Sequence, residues 1–284
     1  MCGCITSTYG TKPVLSGATA FACQVRFGYS ALPVKIPQTG YGWSPARLLP
    51  SNSGMPLPIP ATLEAIRQFD TCMIANAIEE FGLRLRNEGF TRPGLRCMTG
   101  DRPRVIGFAA TCTVRSANPP MSGDSYRDRT DWWTAIDAVP SPRIAVVQDL
   151  EPDAGGGVVG EVHSAILKAF DCVAAITNGS VRDLPGVQRL GFPLFAGSVS
   201  VSHAYTHMVG FGEPVEIFGL TVASGDLLYA DCHGILSIPL EVVDDLPAKA
   251  DEIRAREKRI LDLCASPGFS QKKLLELIEP RKAL

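Results

Sequence analysis

The middle of the chain carries a strand–helix–strand pattern, and this pattern determines the fold class. Residues 144–148 (IAVVQ) and 173–177 (VAAIT) are apolar runs of strand length, and residues 161–170 between them are typical of a helix. A glycine loop at 155–160 joins the first strand to this helix. Two buried strands joined by a crossover helix run parallel in one sheet. The sequence therefore predicts an α/β fold built around this βαβ unit.

Shorter predicted elements flank the βαβ unit on both sides. The segment before it predicts helices at 64–69 (capped by Thr62) and 72–80, a buried strand at 107–114 and a helix at 132–138. The segment after it predicts short strands separated by Gly or Pro, at 193–196, 215–217, 220–222, 227–230 and 235–238. A long helix is predicted from about Glu241 to Cys264. This layout indicates a mixed sheet, or a partly closed barrel, followed by a C-terminal helix.

The same signals divide the 284 residues into three parts. Residues 1–56 are rich in Gly, Pro, Ser and Thr, so we expect a disordered N-terminal extension. Met55 is an alternative natural start, and a secretory or lipoprotein signal at 13–23 is disfavoured because Pro, Ser and Gly interrupt its apolar run. An α/β domain is predicted at 57–240 and a helical segment at 241–284.

Composition argues against several classes of function. The net charge of −2 indicates no polyanionic partner such as nucleic acid. No apolar run approaches the roughly 18 residues that cross a bilayer, so no membrane partner is expected. Nine cysteines without a CxxC pair are typical of a reducing compartment, where most thiols act as small buried hydrophobes. We therefore expect a cytoplasmic protein that does not bind metal through thiolates.

Three charged residues are predicted to meet at one edge of the sheet. The crossover helix runs antiparallel to its strands, so Glu161 at its start lies at the edge where Arg182 and Asp183 follow the second strand. Free backbone N–H groups at Val162 and His163 would favour a carboxylate at this edge. Arg182 can bind a carboxylate in bidentate fashion, and Asp183 can ligate a hard divalent cation. The alternative is a structural salt bridge between Glu161 and Arg182.

Other chemistries are weighed against this site. The segment 155–160 fits the G-x-G-x-x-G pattern of a dinucleotide-binding loop, but four residues separate it from the strand where a tight turn is needed. Lys168 would form a Schiff base only if desolvated, and its helical position favours a surface lysine. His203 and His207 lie in a non-helical segment, which favours hydrogen-bonded loop residues over zinc ligands. His233 is predicted in a hairpin turn.

Motifs along the chain resemble those of the RraA-like family. Glu161, twenty further residues and then Arg182-Asp183 resemble the family pattern of an acid, twenty residues and Arg-Asp. Further matching segments are Phe69–Thr71, Ala75–Ile78, Leu190–Ala196, Gly219–Val222, Gly225–Leu228, Ala230–Gly234 and Ile238-Pro239. The resemblance covers about residues 60–260, and it implies the family's swivelling β/β/α-type fold and a catalytic domain at 57–240.

The resemblance also implies a role for each residue at the predicted edge. Asp183 would bind Mg²⁺ or Mn²⁺, directly or through water. Arg182 would contact the substrate and stabilise a pyruvate enolate. Glu161 stands where the family usually has Asp, and it would take the acid/base role. The other substrate contacts are expected at the start of the helix, from Gly160, Val162 and His163.

The function implied by the resemblance is that of a divalent-metal-dependent lyase. Such an enzyme cleaves a C–C bond of a small 2-oxo acid to give pyruvate, as a 4-hydroxy-4-methyl-2-oxoglutarate aldolase or an oxaloacetate decarboxylase. A homotrimer or homohexamer is expected, with Glu257 from a neighbouring subunit as a candidate metal ligand. The alternative is a non-catalytic regulator that binds ribonuclease E or another protein. The presence of Glu161, Arg182 and Asp183 together favours the enzyme.

Overall fold

The computed structural model describes residues 57–100, 103–121 and 130–278. The extension predicted at 1–56 lies outside the described residues. The helices are α1 Pro60–Ile66, α2 Thr71–Glu79, α3 Thr130–Asp137, α4 Glu161–Ala169, α5 Leu184–Arg189, α6 Leu246–Ala265 and α7 Gln271–Ile278. The strands are β1 Arg96–Cys97, β2 Val105–Arg115, β3 Arg143–Asp149, β4 Gly157–Val159, β5 Cys172–Thr177, β6 Ser180–Val181, β7 Leu194–Ala196, β8 Ser198–Val199, β9 His207–Phe211, β10 Val215–Ile217, β11 Leu220–Val222, β12 Leu227–Asp231 and β13 Gly234–Ile238.

The main sheet contains the predicted βαβ unit at its centre. Its strand order is β1-β7-β5-β3-β2-β12-β13, with β9 paired to the end of β2. The strands β2, β3, β5 and β7 are parallel neighbours, whereas β12 and β13 are antiparallel. The parallel pairing of β3 and β5 on either side of α4 confirms the βαβ prediction.

The main sheet curls until its two edges are joined by a short piece of chain. At one edge, Gly89 and Thr91 bond to the backbone of β13: Ser237 N donates to Gly89 O, and Thr91 N donates to Ile235 O. A few residues later β1 pairs with β7 at the other edge. The sheet is therefore nearly closed, which confirms the predicted mixed α/β fold with a partly closed barrel and a C-terminal helix. Two small sheets, β10-β11 and β4-β6-β8, complete the fold.

Both faces of the central strands are buried, and alternate residues face different cores. In β3, Ala145 and Val147 pack in the cluster that includes the helices, whereas Ile144 and Val146 pack in the cluster with β10 and β11. Burial on both faces explains why these strands are continuous apolar runs. Each large apolar side chain removed from water contributes about 1.5–3 kcal/mol. In the described part of the chain, no helix combines the length and apolarity needed to cross a membrane.

Helix α4 buries a histidine rather than exposing it at the sheet edge. The His163 side chain is 1% exposed, and its ring meets Trp133 edge-on with the centroids 5.8 Å apart. Trp133 in turn stacks on Phe170. Burial lowers the pKa of His163 to about 4. The imidazole therefore belongs to the core between α3 and α4, and it is neutral at physiological pH.

Two helix boundaries differ from the sequence prediction. Helix α1 begins at Pro60 with Ile59 as its N-cap, because proline is favoured in the first turn, and the hydroxyl of Thr62 donates to Asp244 instead of capping. Helix α6 begins at Leu246 rather than near Glu241. Pro247 is tolerated only in the first turn of a helix, so the helix cannot begin much earlier.

The glycine segment and the cysteines also differ from expectation. The predicted loop at 155–160 contains a strand, β4, which pairs in parallel with β6. A strand at this place leaves no tight turn for a pyrophosphate, so the dinucleotide-loop interpretation is wrong. Among the described cysteines, Cys112 and Cys172 are buried as predicted, but three others are exposed: Cys72, Cys232 and Cys264.

We expect Gly107→Ala to destabilise the protein, because β2 approaches the chain before β3 too closely for a side chain. A Cβ at Gly107 would lie 2.7 Å from the carbonyl oxygen of Pro142, which also accepts the amide of Phe108. The backbone shift that makes room for this Cβ should lower the free energy of unfolding by about 1–3 kcal/mol, as measured by urea denaturation. Gly268→Ala, in an exposed turn, is the control and should change it by less than about 0.5 kcal/mol. Equal stability of Gly107→Ala and the parent would contradict the close approach.

We expect the free energy of unfolding to fall as the pH drops from about 6.5 towards 4, because unfolding lets His163 take up a proton. Its pKa is lowered from 6.5 to about 4 in the folded protein, so this contribution is complete above pH 6.5. It is lost as the pH falls through this window, and it amounts to at most about 3 kcal/mol. The measurement is urea unfolding at several pH values. His163→Leu should show a shallower pH dependence, and an identical dependence would refute the assignment.

Candidate functional site

The carboxyl ends of β3 and β5 are tied together by one amide side chain. The Oδ1 of Asn178 accepts the backbone N–H of Asp149 at 2.7 Å, and its Nδ2 donates to the Asp149 carbonyl at 2.8 Å. The buried Asp149 carboxylate accepts the Ser116 hydroxyl at 2.9 Å, and burial raises the pKa of Asp149. This network gives the loops that follow both strands a fixed starting point. Sequence reasoning missed it, because single polar residues at strand ends carry no distinctive pattern.

The small parallel sheet then carries the chain to Arg182 and Asp183. Gly157 pairs with Ser180, and Val159 pairs with Val181, so β4 and β6 run side by side. The Arg182 backbone N–H continues this ladder by donating to the Val159 carbonyl at 3.0 Å. Strand β4 leads directly into α4, and β6 leads into α5. The starts of the two helices are therefore neighbours.

Two glycines form a floor on which Arg182 and Asp183 lie. A Cβ at Gly157 would lie 2.9 Å from Arg182 Cδ, and a Cβ at Gly160 would lie 2.5 Å from Asp183 Oδ2. Only glycine leaves room for such contacts. The glycines noted in the sequence therefore serve close packing of the Arg-Asp pair rather than phosphate binding.

Asp183 has an unusual backbone and unusual partners. Its φ of +55° is in the left-handed region, which aspartate tolerates better than most residues. It precedes α5 as the N-cap, yet its side chain makes no capping bond to that helix. Instead Oδ2 accepts the backbone N–H of Glu161 at 3.3 Å and the Nε of Arg182 at 3.2 Å. The carboxylate thus joins the start of α4 to the Arg-Asp pair, as the sequence spacing predicted.

The Glu161 side chain has a different partner from the one considered in the sequence. Its carboxylate lies against Gly186 in α5, where no Cβ would fit, and Oε1 is 3.6 Å from Arg189 Nη2. The alternative of a Glu161–Arg182 salt bridge is therefore wrong. Arg182 pairs with Asp183 instead. The structure brings all three predicted residues to one edge, but the Glu161 carboxylate faces α5.

The first turn of α4 offers backbone groups for the substrate contacts predicted there. Gly160 is the N-cap, and the N–H groups of the first turn lack partners four residues earlier. Val162 is 52% exposed beside them. The imidazole of His163 lies in the core, so the substrate contact predicted for His163 is left to its backbone N–H at the edge.

Lys168 and His203 match the expectations from the sequence, whereas His207 does not. Lys168 is exposed and donates to the Leu190 carbonyl, which excludes it as a desolvated amine. His203 Nδ1 bonds to the Ala204 carbonyl within a loop. His207 Nδ1 bonds to the Tyr205 carbonyl, but His207 is the first residue of strand β9 and not a loop residue.

Glu257 lies in a separate cavity of the chain. It is half-buried on α6, in a space of about 470 Å³. The other lining residues are Asn76, Glu79, Glu80, Arg86, Ile253 and Arg256. A role at the Asp183 site would therefore need a second subunit, and the assignment of Glu257 as a metal ligand stays a prediction.

Comparison with known proteins identifies relatives that match about half of this chain. Protein DlpA of Legionella pneumophila is 26% identical over 165 residues, which cover 57% of this chain and 26% of DlpA. A protein of Halalkalibacterium halodurans named "Putative 4-hydroxy-4-methyl-2-oxoglutarate aldolase" is 24% identical over 167 residues, covering 57% of this chain and 74% of that protein. The matched region thus spans only about a quarter of DlpA.

A solved structure supports the fold. RraAS2 of Streptomyces coelicolor, described as an unusual member of the RNase ES inhibitor RraA protein family, superposes with a TM-score of 0.57 at 20% identity. The superposition covers 72% of this chain and 97% of RraAS2. Similarity at this identity shows the shared fold alone.

The family model covers the segment that builds the site. It is described as Aldolase/RraA and matches residues 71–237, more than half of the 284 residues. The match begins at α2, ends in β13 and includes the glycine floor, the start of α4 and the Arg-Asp pair. The predicted resemblance is confirmed, and this chain belongs to the RraA-like family.

Proposed function

We propose that this protein is a divalent-metal-dependent lyase that cleaves a C–C bond of a small 2-oxo acid and releases pyruvate. The observation that carries the proposal is the meeting of Arg182, Asp183 and the start of α4 on the glycine floor. Family membership, and similarity to a protein named as a "Putative 4-hydroxy-4-methyl-2-oxoglutarate aldolase", support the same class of reaction.

Asp183 is the proposed ligand for Mg²⁺ or Mn²⁺. Its side chain is 38% exposed, so a cation can reach it and keep bound water. Mg²⁺ typically retains several waters and uses one or two carboxylates, which a single exposed aspartate satisfies. When bound, the cation would polarise the 2-oxo carbonyl and make the adjacent C–C bond easier to break.

Arg182 and the first turn of α4 are proposed to hold the substrate. The amides of Val162 and His163, at the positive end of the helix dipole, donate to the substrate carboxylate. The Nε of Arg182 stays on Asp183, which leaves its terminal nitrogens for the substrate. As the C3–C4 bond breaks, its electron pair passes into an enolate, and Arg182 donates to the enolate oxygen. In aldol cleavage the C4 hydroxyl gives up its proton and becomes the carbonyl of the second product, whereas from oxaloacetate C4 leaves as CO₂. A proton added at C3 completes pyruvate.

Glu161 is proposed as the acid/base that transfers a proton during the reaction, although its carboxylate lies against α5 in the structure. The pair with Arg189 is largely exposed, with 45% of the Glu161 side chain and 71% of the Arg189 side chain accessible. An exposed ion pair contributes at most about 1 kcal/mol, so it does not hold the carboxylate on α5. Rotation about the side-chain bonds of Glu161 turns the carboxylate towards the substrate side of the α4 terminus.

A homotrimer or homohexamer is part of the proposal. Apolar side chains are exposed beside the site, and Val201 is 97% exposed. Together with Val162, Val199 and Tyr205 it forms a surface that a second subunit can cover. The proposed contribution of Glu257 from that neighbour would add a carboxylate to the one from Asp183.

The test of the lyase proposal is pyruvate release from oxaloacetate and from 4-hydroxy-4-methyl-2-oxoglutarate, with Mg²⁺ or with EDTA. We expect activity with Mg²⁺, its loss with EDTA or Asp183→Asn, and a drop of about 100-fold or more with Arg182→Met. Asp153→Asn, an exposed acid outside the site, is the matched control and should retain activity. Pyruvate release that survives EDTA or Asp183→Asn would contradict the mechanism. No turnover of either substrate would favour the alternative of a non-catalytic regulator that binds a protein partner.

Mixing two impaired variants tests the contribution of Glu257. We expect Glu257→Gln to lower activity about 10-fold or more, whereas Glu276→Gln on α7 should leave it unchanged. If sites form between subunits, co-refolding Asp183→Asn chains with Glu257→Gln chains should restore part of the activity, because some sites then combine two intact residues. Full activity of Glu257→Gln, or no restoration in mixed oligomers confirmed by native mass spectrometry, would contradict the shared site.

A further inference from the structure

A second cluster of metal-ligating side chains lies in the turn between β12 and β13. Asp231, Cys232 and His233 each place one ligand atom within 4.8 Å of the others. The turn is short, since Asp231 pairs with Gly234, whose φ is +136°. Cys232 is exposed, and the His233 side chain is 49% exposed, so both reach solvent.

This cluster is far from the proposed lyase site. Strand β12 runs antiparallel to β2, with Ala230 opposite Val105, so the turn lies beyond the start of β2. Arg182 and Asp183 follow the opposite, carboxyl ends of the parallel strands. Strand β2 has 11 residues, which at about 3.3 Å per residue separates the two ends by roughly 30 Å. The turn therefore cannot share a ligand or a cation with Asp183 of the same chain.

Asp231 orients the histidine rather than binding a cation itself. It is 3% exposed and accepts the Thr71 backbone N–H at 2.9 Å and the Thr71 hydroxyl at 2.7 Å. Its Oδ1 also lies 3.0 Å from His233 Nδ1. Its Oδ1 also accepts the backbone N–H of His233 at 2.9 Å. An ionised carboxylate only accepts, so Nδ1 carries the proton and Nε2 presents its lone pair.

A carboxylate–histidine pair of this kind is the arrangement that supports metal-bound histidines in proteins. Cys232 Sγ is 4.0 Å from His233 Nε2. A tetrahedral Zn²⁺ with bonds of about 2.3 Å to sulfur and 2.0 Å to nitrogen separates these atoms by about 3.5 Å. The sulfur lies nearer to Nδ1, at 3.6 Å, so the exposed Cys232 side chain must adopt another rotamer to reach a cation on the Nε2 side of the ring.

A further thiol flanks the turn. Cys72, exposed at the start of α2, lines a cavity of about 310 Å³ together with His233. A second cleft of about 450 Å³ on the turn is lined by Asp70, Arg104, Asp231, Cys232 and His233.

We propose that this turn is a second metal site, which binds Zn²⁺ through Cys232 Sγ and His233 Nε2, with Cys72 Sγ as third ligand and water as fourth. Two thiolates and a neutral imidazole suit a borderline-soft cation such as Zn²⁺ rather than Mg²⁺. The side chain of Arg104 is held by the carbonyls of Arg67 and Gln68, so it does not occupy the ligand positions.

The test is zinc binding to the full, reduced, metal-free chain, measured by competition with a chromophoric chelator. Cys2, Cys4 and Cys23 are replaced by serine in the parent, so that these thiols contribute nothing. We expect one Zn²⁺ per chain, with Cys232→Ser and His233→Ala each lowering the affinity about 10-fold or more and Cys72→Ser lowering it as well. Bound Co²⁺ should show a thiolate-to-cobalt charge-transfer band that Cys232→Ser weakens.

Two controls separate this site from the rest of the molecule. Cys264→Ser removes an exposed thiol elsewhere on the chain, and Asp183→Asn removes the proposed lyase ligand, so neither should change zinc affinity. Zinc binding that is absent in the parent, unaffected by both Cys232→Ser and His233→Ala, or abolished by Asp183→Asn would overturn the proposal. The outcome is independent of lyase activity, because no substrate is used.

Discussion

The parallel pairing of β3 and β5 determines where the start of α4 and the Arg182-Asp183 pair lie. Parallel neighbours need a crossover, and the crossover here is α4, whose N-terminus must return to the edge where both strands end. Asn178 bonds both ways to the Asp149 backbone at this edge, so the two strand ends cannot slide apart. The start of α4 and the Arg182-Asp183 pair meet because the parallel pairing brings both to the same edge of the sheet.

The parts of the fold that could be predicted are those that depend on local sequence. The apolar runs that became β2, β3 and β5 are buried on both faces, and such strands are recognised from composition alone. The meeting of Glu161 with Asp183 could be predicted because a crossover helix runs antiparallel to its strands, so its start lies at the edge where they end. The partner of the Glu161 carboxylate, Arg189, could not be predicted, because it depends on how α5 packs on α4.

The parts that could not be predicted depend on contacts between distant residues. Strands β6 and β8 have two residues each and gain stability only from pairing beside β4. The buried position of His163 depends on Trp133, thirty residues earlier in the chain. The orientation of His233 depends on Asp231, which is itself fixed by Thr71, 160 residues away. The proposed zinc ligands belong to a hairpin and a helix, so a search for CxxC spacing cannot detect them.

The twenty residues between Glu161 and Arg182 contain no spare loop residues. Helix α4, a turn at Phe170-Asp171, β5, a turn at Asn178-Gly179 and β6 fill this interval completely. One residue inserted in the helix would rotate the next part of the chain by about 100°, and one inserted in β5 would turn its later side chains to the opposite face. The number of residues in this interval therefore determines whether the start of the helix and the Arg-Asp pair meet. Substitutions within the interval are easier to accommodate than insertions or deletions.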